Sequence, residues 1–176
     1  KFLNVSSSSR RDFAWMIARP VMRLMRAIAN LNGTWRLRRL GYLDFTTNRP
    51  PGALAPQGGD LWFLYRLVRE RKPQLVFELG SGCSTVILAQ ALYDNTRKDG
   101  ERAGRIISLD ANADWASVTW GTLPKHLVAQ CEIRHVPAVK EDRGSDLGFH
   151  YKHLPDGMPD FLYVDGPALQ PGRKIC

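Results

Sequence analysis

The sequence predicts an α/β fold built on a mostly parallel sheet, and three observations lead to it. Short, largely apolar runs recur at residues 75–79, 105–109 and 161–164, with a more mixed strand-like run at 131–136, separated by longer amphipathic stretches. Strands buried on both faces read as continuous apolar runs, and parallel neighbours need helical crossovers between them. Three of the runs end in or beside an acid: Glu78, Asp110 and Asp165. A Gly-x-Gly turn follows the first run directly.

In chain order, "VSSSSRRD" is a polar lead-in with Ser9 or Asp12 available as a helix cap. Residues 13–31 read as a helix in which Arg19, Arg23 and Arg26 line one face. The opposite face is apolar and includes Phe13, Trp15, Ile17, Val21, Leu24, Met25 and Ile28. Pro20 is a candidate kink and Asn32-Gly33 a stop. Such a helix packs on protein, its own domain or a second copy, or lies in a membrane interface; the pattern favours protein. Residues 47–59 are loop by their Pro and Gly content. Asp60 caps a helix over residues 60–71, closed by Pro73.

A strand at 75–79 leads into the glycine turn and a helix at 84–93, followed by the polar stretch "NTRKDGERAG". A second strand at 105–109 and a helix over 114–127, interrupted near Gly121 to Pro124, come next. After a third strand at 131–136, residues 138–159 read as a long loop, and the fourth strand at 161–164 ends in "VDGP". The chain therefore divides into a basic, amphipathic helical arm and loop (1–56) and a ligand-binding α/β domain (57–176).

The formal charge is +8, from 25 Lys and Arg against 17 Asp and Glu. That excess, concentrated in the arm, suits nucleic acid, an anionic membrane or an acidic partner without choosing among them. Three dispersed cysteines do not make a disulfide scaffold or a zinc site, which points to a reducing, cytoplasmic setting, with peripheral membrane contact through the arm as a second reading. No metal site is expected.

Ligands of parallel sheets bind beyond the carboxyl ends of the strands, where the three acids gather. Gly80 and Gly82 allow close backbone approach, and Ser84 and Thr85 open the next helix, where free N–H groups accept a polar partner. Thr85 stands where a dinucleotide fingerprint has its third glycine, and no P-loop lysine follows. Glu78 would repel a diphosphate, so a cationic ligand fits better. Asp110 is placed to accept both hydroxyls of a ribose, although it lies further from the glycines than the usual ~20 residues.

"VFELGSGCST", "IISLDANADW" and "PDFLYVDGP", in that order, resemble the motifs of class I S-adenosylmethionine-dependent methyltransferases. The resemblance covers about residues 57–167. It implies a Rossmann-like, doubly wound sheet of strand order 3-2-1-4. It implies S-adenosyl-L-methionine as cofactor, with Glu78, Gly80, Ser81, Gly82 and Ser84 at its methionine part, Asp110 at the ribose, and Ala111 and Asn112 near the adenine. Asp165 would sit beside the methyl group as a catalytic base, with His150 and His153 as the other candidates. The family's sheet has three further strands, so the sequence is expected to be incomplete at its C-terminus. The activity implied is methyl transfer to oxygen or nitrogen of a small-molecule or sugar-like acceptor. A nucleic-acid methyltransferase, and a non-catalytic membrane-docked protein of the same fold, are the alternatives; nucleic acid is the weaker, because no aromatic-basic interleaving is present. A homodimer or a membrane surface would engage the N-terminal helix.

Overall fold

The computed structural model describes the backbone of residues 7–51, 53, 55–100, 102–143 and 146–166, and side chains over the same range except 7–17, 142–143 and 146–147. The expected caps Ser9 and Asp12, the side chains of Phe13, Trp15 and Ile17, and everything from residue 167 onward lie outside the described residues.

Helix α1 (Ser7–Arg39) is longer than the sequence suggests, because it runs through both Pro20 and Gly33. Gly33 is a crossing point and not a stop. A Cβ there would lie 2.2 Å from the carbonyl oxygen of Gly58, at the start of α2 (Gly58–Arg71). Two glycines facing each other let the helix backbones meet, and Asn30 Oδ1 accepts the Gly59 N–H at 3.2 Å beside them. Among the described residues of α1, the anchoring ones lie in its second half. Leu37 is fully buried, while Val21, Leu24, Met25, Ile28 and Leu31 are exposed. Helix α2 begins two residues before the expected cap; Asp60 sits in its first turn and does not cap it.

The main sheet has β1 (Leu75–Leu79), β2 (Arg105–Asp110), β3 (Cys131–His135) and β6 (Phe161–Val164) in the order β3-β2-β1-β6, all parallel. This is the expected order 3-2-1-4, counting β6 as the fourth strand. Two strands the sequence reading treated as loop, β4 (Ala138–Arg143) and β5 (Asp146–Tyr151), form a separate antiparallel hairpin.

Residues alternate across the strands, so the register fixes what each face presents. One face carries Val76, Ile106, Cys131, Phe161 and Tyr163, packed with Leu61, Leu64 and Val68 of α2 and with Val86, Ile87 and Leu92 of α3 (Cys83–Asp99). The opposite face carries Phe77, Ile107 and Leu109, and Tyr151 of the hairpin packs on it; no helical residue joins that cluster among the described residues. Strand β6 is an edge, with Leu162 and Val164 exposed on the hairpin side.

Helix α3 extends six residues past its expected end because polar contacts replace the apolar repeat. Buried Asp94 accepts hydrogen bonds from Tyr42, from Tyr65 at 2.6 Å, from Gln90 at 3.1 Å and from Lys98 at 3.0 Å. Burial alone would raise this carboxyl, but the donors outweigh it and hold Asp94 below the usual carboxylate range. Arg69 of α2 reaches Asn95 and Asp99 in the same stretch. Helix α4 (Ala113–Thr122) and a 3-10 segment (Lys125–Gln130) lead to β3.

Candidate cofactor site

The strand ends meet at one point. Gly80 N–H donates to Leu109 O at 2.8 Å, and Asp165 N–H donates to Leu79 O at 2.8 Å. The backbone just past β1 is thus bonded to the ends of both neighbours. Gly80 has φ +106°, and a Cβ on it would lie 2.9 Å from the carbonyl carbon of Asp165. Only glycine fits there, for its conformation and for the closeness of the β6 end. Its role is to join strands. Gly82 differs: a Cβ there would have nothing within 4 Å, so this stretch of backbone is open to a ligand.

Glu78 lies inside β1 and is completely buried on the helix-covered face. Ser84 Oγ donates to Oε1 at 2.5 Å; Thr85 Oγ1 and Ser108 Oγ donate to Oε2 at 2.5 and 2.6 Å. Ser108 is its register partner on β2, while Ser84 and Thr85 stand in the first turn of α3. Thr85 Oγ1 also accepts the Gly82 N–H at 2.9 Å, so the carboxylate, the hydroxyl and the loop form one chain. Burial pushes the Glu78 carboxyl up to about 7; the three hydroxyls pull it down and the Asp165 charge adds to the rise. The acid in the glycine motif therefore braces the loop against the helix N-terminus, where negative charge is favoured. Glu78 and Ser84, both expected at the methionine part of a cofactor, are buried and hydrogen-bonded to each other.

Asp110 ends β2 and is nearly buried. Its Oδ2 accepts the Ser81 N–H at 3.0 Å and the Ser81 hydroxyl at 2.6 Å; its Oδ1 accepts the Asn112 N–H at 2.8 Å. Each carboxylate oxygen can accept about two bonds, so Oδ1 retains capacity. Asn112 caps α4, with Oδ1 accepting from Asp114 N–H and Trp115 N–H at 2.8 and 3.1 Å, and Ala111 is half-buried between them. Ser81, Gly82, Asp110, Ala111 and Asn112 thus share one corner, beside the N-termini of α3 and α4.

Asp165 follows β6 on the other side of the glycine loop. Its carboxylate has no hydrogen-bond partner among the described residues. It stays solvent-exposed, yet the protein around it and the charge of Asp60 hold it above the usual range.

The two histidines are not brought to this point. His150 is exposed on the hairpin, its Nδ1 3.6 Å from Glu141 Oε2, and His153 is exposed beyond β5. Alternation along β5 explains it: Tyr151 faces the sheet, so His150 faces away. Tyr151 stands out in the sequence with His150 and His153, in a stretch expected as a loop that can face the acceptor pocket, and it lies on β5 instead. It is buried, and its hydroxyl donates to Leu109 O at 3.3 Å and sits 3.2 Å from where a Gly166 Cβ would be. The signal was the alternation in "GFHY", hidden by the charged strand that pairs with it.

No protein-family model and no curated protein matches the chain. Among solved structures it is similar to the O-methyltransferase from Bacillus cereus in complex with S-adenosylhomocysteine (24% identity, TM-score 0.39, 56% of this chain and 42% of that one). It is similar to the O-methyltransferase TomG from Streptomyces achromogenes in complex with S-adenosylmethionine (18%, 0.38, 61% and 42%). It is also similar to the S-adenosylhomocysteine-bound methyltransferase PaMTH1 from Podospora anserina (18%, 0.45, 72% and 49%). The chain spans about half the length of these proteins or less. Its own strand order, with a glycine loop between two strand-end acids, is that of a Rossmann-like α/β fold.

Proposed function

We propose that the chain is an S-adenosylmethionine-dependent methyltransferase acting on a small-molecule acceptor through oxygen or nitrogen. The observation that carries this reading is the meeting of the Gly80–Gly82 loop with Asp110 on one side and Asp165 on the other. The donor set fits such a cofactor. Bare backbone at Gly82 admits a ligand, Asp110 Oδ1 has room for a ribose hydroxyl, and the acids Asp110 and Asp165 favour positive charge over phosphate. When bound, S-adenosylmethionine supplies an electrophilic methyl group on a sulfonium.

The chain's own residues then have distinct tasks. Glu78, through Ser84, Thr85 and Ser108, holds the glycine loop in place. Ser81 locks that loop to Asp110, so a ribose acceptor and a backbone platform are positioned together. Asp165, exposed and held above its ordinary range, is the group suited to take a proton from an acceptor hydroxyl, a contribution typically worth ~10²–10⁴-fold. His150 and His153 would reach an acceptor only if the hairpin moved. Incubation of the protein with methyl-labelled S-adenosylmethionine and cell extract, followed by identification of the labelled product, tests the reading; no label transfer to any extract would count against it.

A second feature favours a docking role for α1 in addition. Val21, Leu24, Met25 and Ile28 are 50–65% exposed, and Arg19, Arg23 and Arg26 are exposed with them. No described helix is long and apolar enough to cross a membrane. The fit is to an interfacial membrane contact or a second copy of the chain. Co-sedimentation with anionic vesicles and sedimentation velocity separate the two.

A further inference from the structure

We infer that the projecting part of α1 is a docking surface for an anionic lipid bilayer, which its apolar stripe enters while its arginines meet the headgroup charge. The inference commits the docking role of α1 to one partner and rests on that role alone, not on the methyltransferase reading. Val21, Leu24, Ile28, Leu31 and Trp35 recur three and four residues apart, so they form one stripe along the helix. All five are at least half exposed, and so is Met25 beside them.

The stripe faces away from the domain. Gly33 meets Gly58 of α2, and Leu37 is buried in the core. Leu31 and Trp35 each lie two residues from Gly33, about 200° around the helix, and so on nearly the opposite side. Residues 19–29 are exposed all round.

Charge selects the partner. Residues 13–43 contain six arginines and no acid. Arg38 and Arg39 share a shallow hollow with Leu31 and Trp35 at the end of the stripe, and Arg39 lies 5.3 Å over the Trp35 ring. An indole beside arginines at the edge of an apolar stripe suits the headgroup level, where such side chains bury their apolar parts and keep their polar tips in water. Arg19, Arg23 and Arg26 lie on the opposite face of the helix. That is about 10 Å away, close to a Debye length at physiological salt, so a charged surface under the stripe still attracts them. Arg19, Arg23, Arg26 and Arg38 form no ion pair among the described residues. A second copy of α1 would set the same acid-free surface against itself and leave these charges without an opposite. An anionic bilayer offers both an apolar layer and the opposite charge.

Flotation of the full chain with vesicles tests this, using phosphatidylcholine alone and a three-to-one mixture with phosphatidylglycerol at fixed ionic strength. Saturable binding to the mixed vesicles is expected, at least tenfold tighter than to phosphatidylcholine alone. Leu24→Gln/Ile28→Gln keeps the charge and alters two exposed side chains; it should weaken binding at least tenfold and leave the melting temperature unchanged. Arg23→Ala/Arg26→Ala should weaken binding more than Arg66→Ala/Arg71→Ala, an equal loss of charge from exposed arginines of α2. Undiminished binding by Leu24→Gln/Ile28→Gln would mean unspecific attraction to a basic protein and would overturn the inference. Equal losses in the two arginine pairs, equal affinity for the two kinds of vesicle, or no vesicle binding would overturn it as well. Sedimentation velocity identifies the rival: a dimer that Leu24→Gln/Ile28→Gln abolishes, without vesicle binding, would assign the stripe to a second copy. S-adenosylhomocysteine is titrated separately. Its binding without vesicle binding would remove the docking surface and keep the methyltransferase reading. Vesicle binding without it would keep the docking surface and count against that reading.

Discussion

Glu78→Gln is the perturbation that most directly separates a loop brace from a ligand contact. The wild-type carboxyl is displaced by burial from an ordinary 4.5 to about 7. Between those values the unfolded chain has released this proton while the folded chain retains it, so the folded state binds more protons and loses stability as pH rises. Stability from this group is complete below about 4.5 and lost once pH has passed about 7. At 1.36 kcal/mol per unit, the loss amounts to about 3 kcal/mol. Glutamine cannot ionise, and its amide can still accept from Thr85 and Ser108 on one side and donate to Ser84 Oγ on the other. Urea denaturation of both proteins at pH 5, 6, 7 and 8 should therefore show Glu78→Gln gaining on wild type by a few kcal/mol across the series, mostly before pH 7. Taking the difference removes the titration of Asp94 and Asp99, which both proteins share. A difference that stays flat with pH would refute the buried-brace argument, as would a variant equally destabilised at every pH.

Other outcomes follow from the same geometry. Gly80→Ala should cost about 2–4 kcal/mol in denaturant titration, because it combines a positive φ with a clash against the Asp165 backbone. Gly82→Ala, with open space in front of it, should leave stability within about 1 kcal/mol and weaken cofactor binding instead. Asp165→Asn should keep cofactor affinity and lower turnover by ~10²-fold or more with an hydroxyl acceptor; unchanged turnover would remove Asp165 as base. Asp94→Asn should weaken the fold above pH 4 and flatten the acid limb of the stability profile. The reason is that a depressed carboxyl contributes stability that disappears as pH falls through its folded pKa.

What could be read from the sequence depended on whether the chemistry was local. The four strands of the main sheet were legible because buried parallel strands are apolar runs, and the acids at their ends stand out against them; their order was implied by the family resemblance. Gly80, Ser81, Gly82, Asp110 and Asn112 lie next to those strand ends and were legible as candidates for the same reason. The hydrogen-bond partners of Glu78 were not legible, since the three hydroxyls that surround it come from two elements, and only the β1–β2 register brings Ser108 alongside. The hairpin was hidden because β4 reads "AVKEDR", too charged to signal a strand, and with it the packing of Tyr151 on the sheet. Gly33 looked like a helix stop until Gly58 appeared opposite it; a glycine at a helix crossing and one at a helix end look alike in one dimension. The length of α3 rests on Asp94, Asn95 and Asp99 meeting partners from α2 and Tyr42, which no periodicity within the helix could reveal.

The central claim is that the corner between the glycine loop and Asp110 holds the adenosyl cofactor. Calorimetric titration of S-adenosylhomocysteine into wild type and Asp110→Ala tests it most directly, with NAD as the competing ligand. Saturable binding to wild type, and none of NAD, is expected. An affinity lowered by about 1–3 kcal/mol is expected in Asp110→Ala, where the ribose hydroxyls lose a charged partner, with the melting temperature of the variant checked alongside. Wild type that binds NAD and not S-adenosylhomocysteine, or a folded Asp110→Ala that binds S-adenosylhomocysteine as tightly as wild type, would contradict the claim.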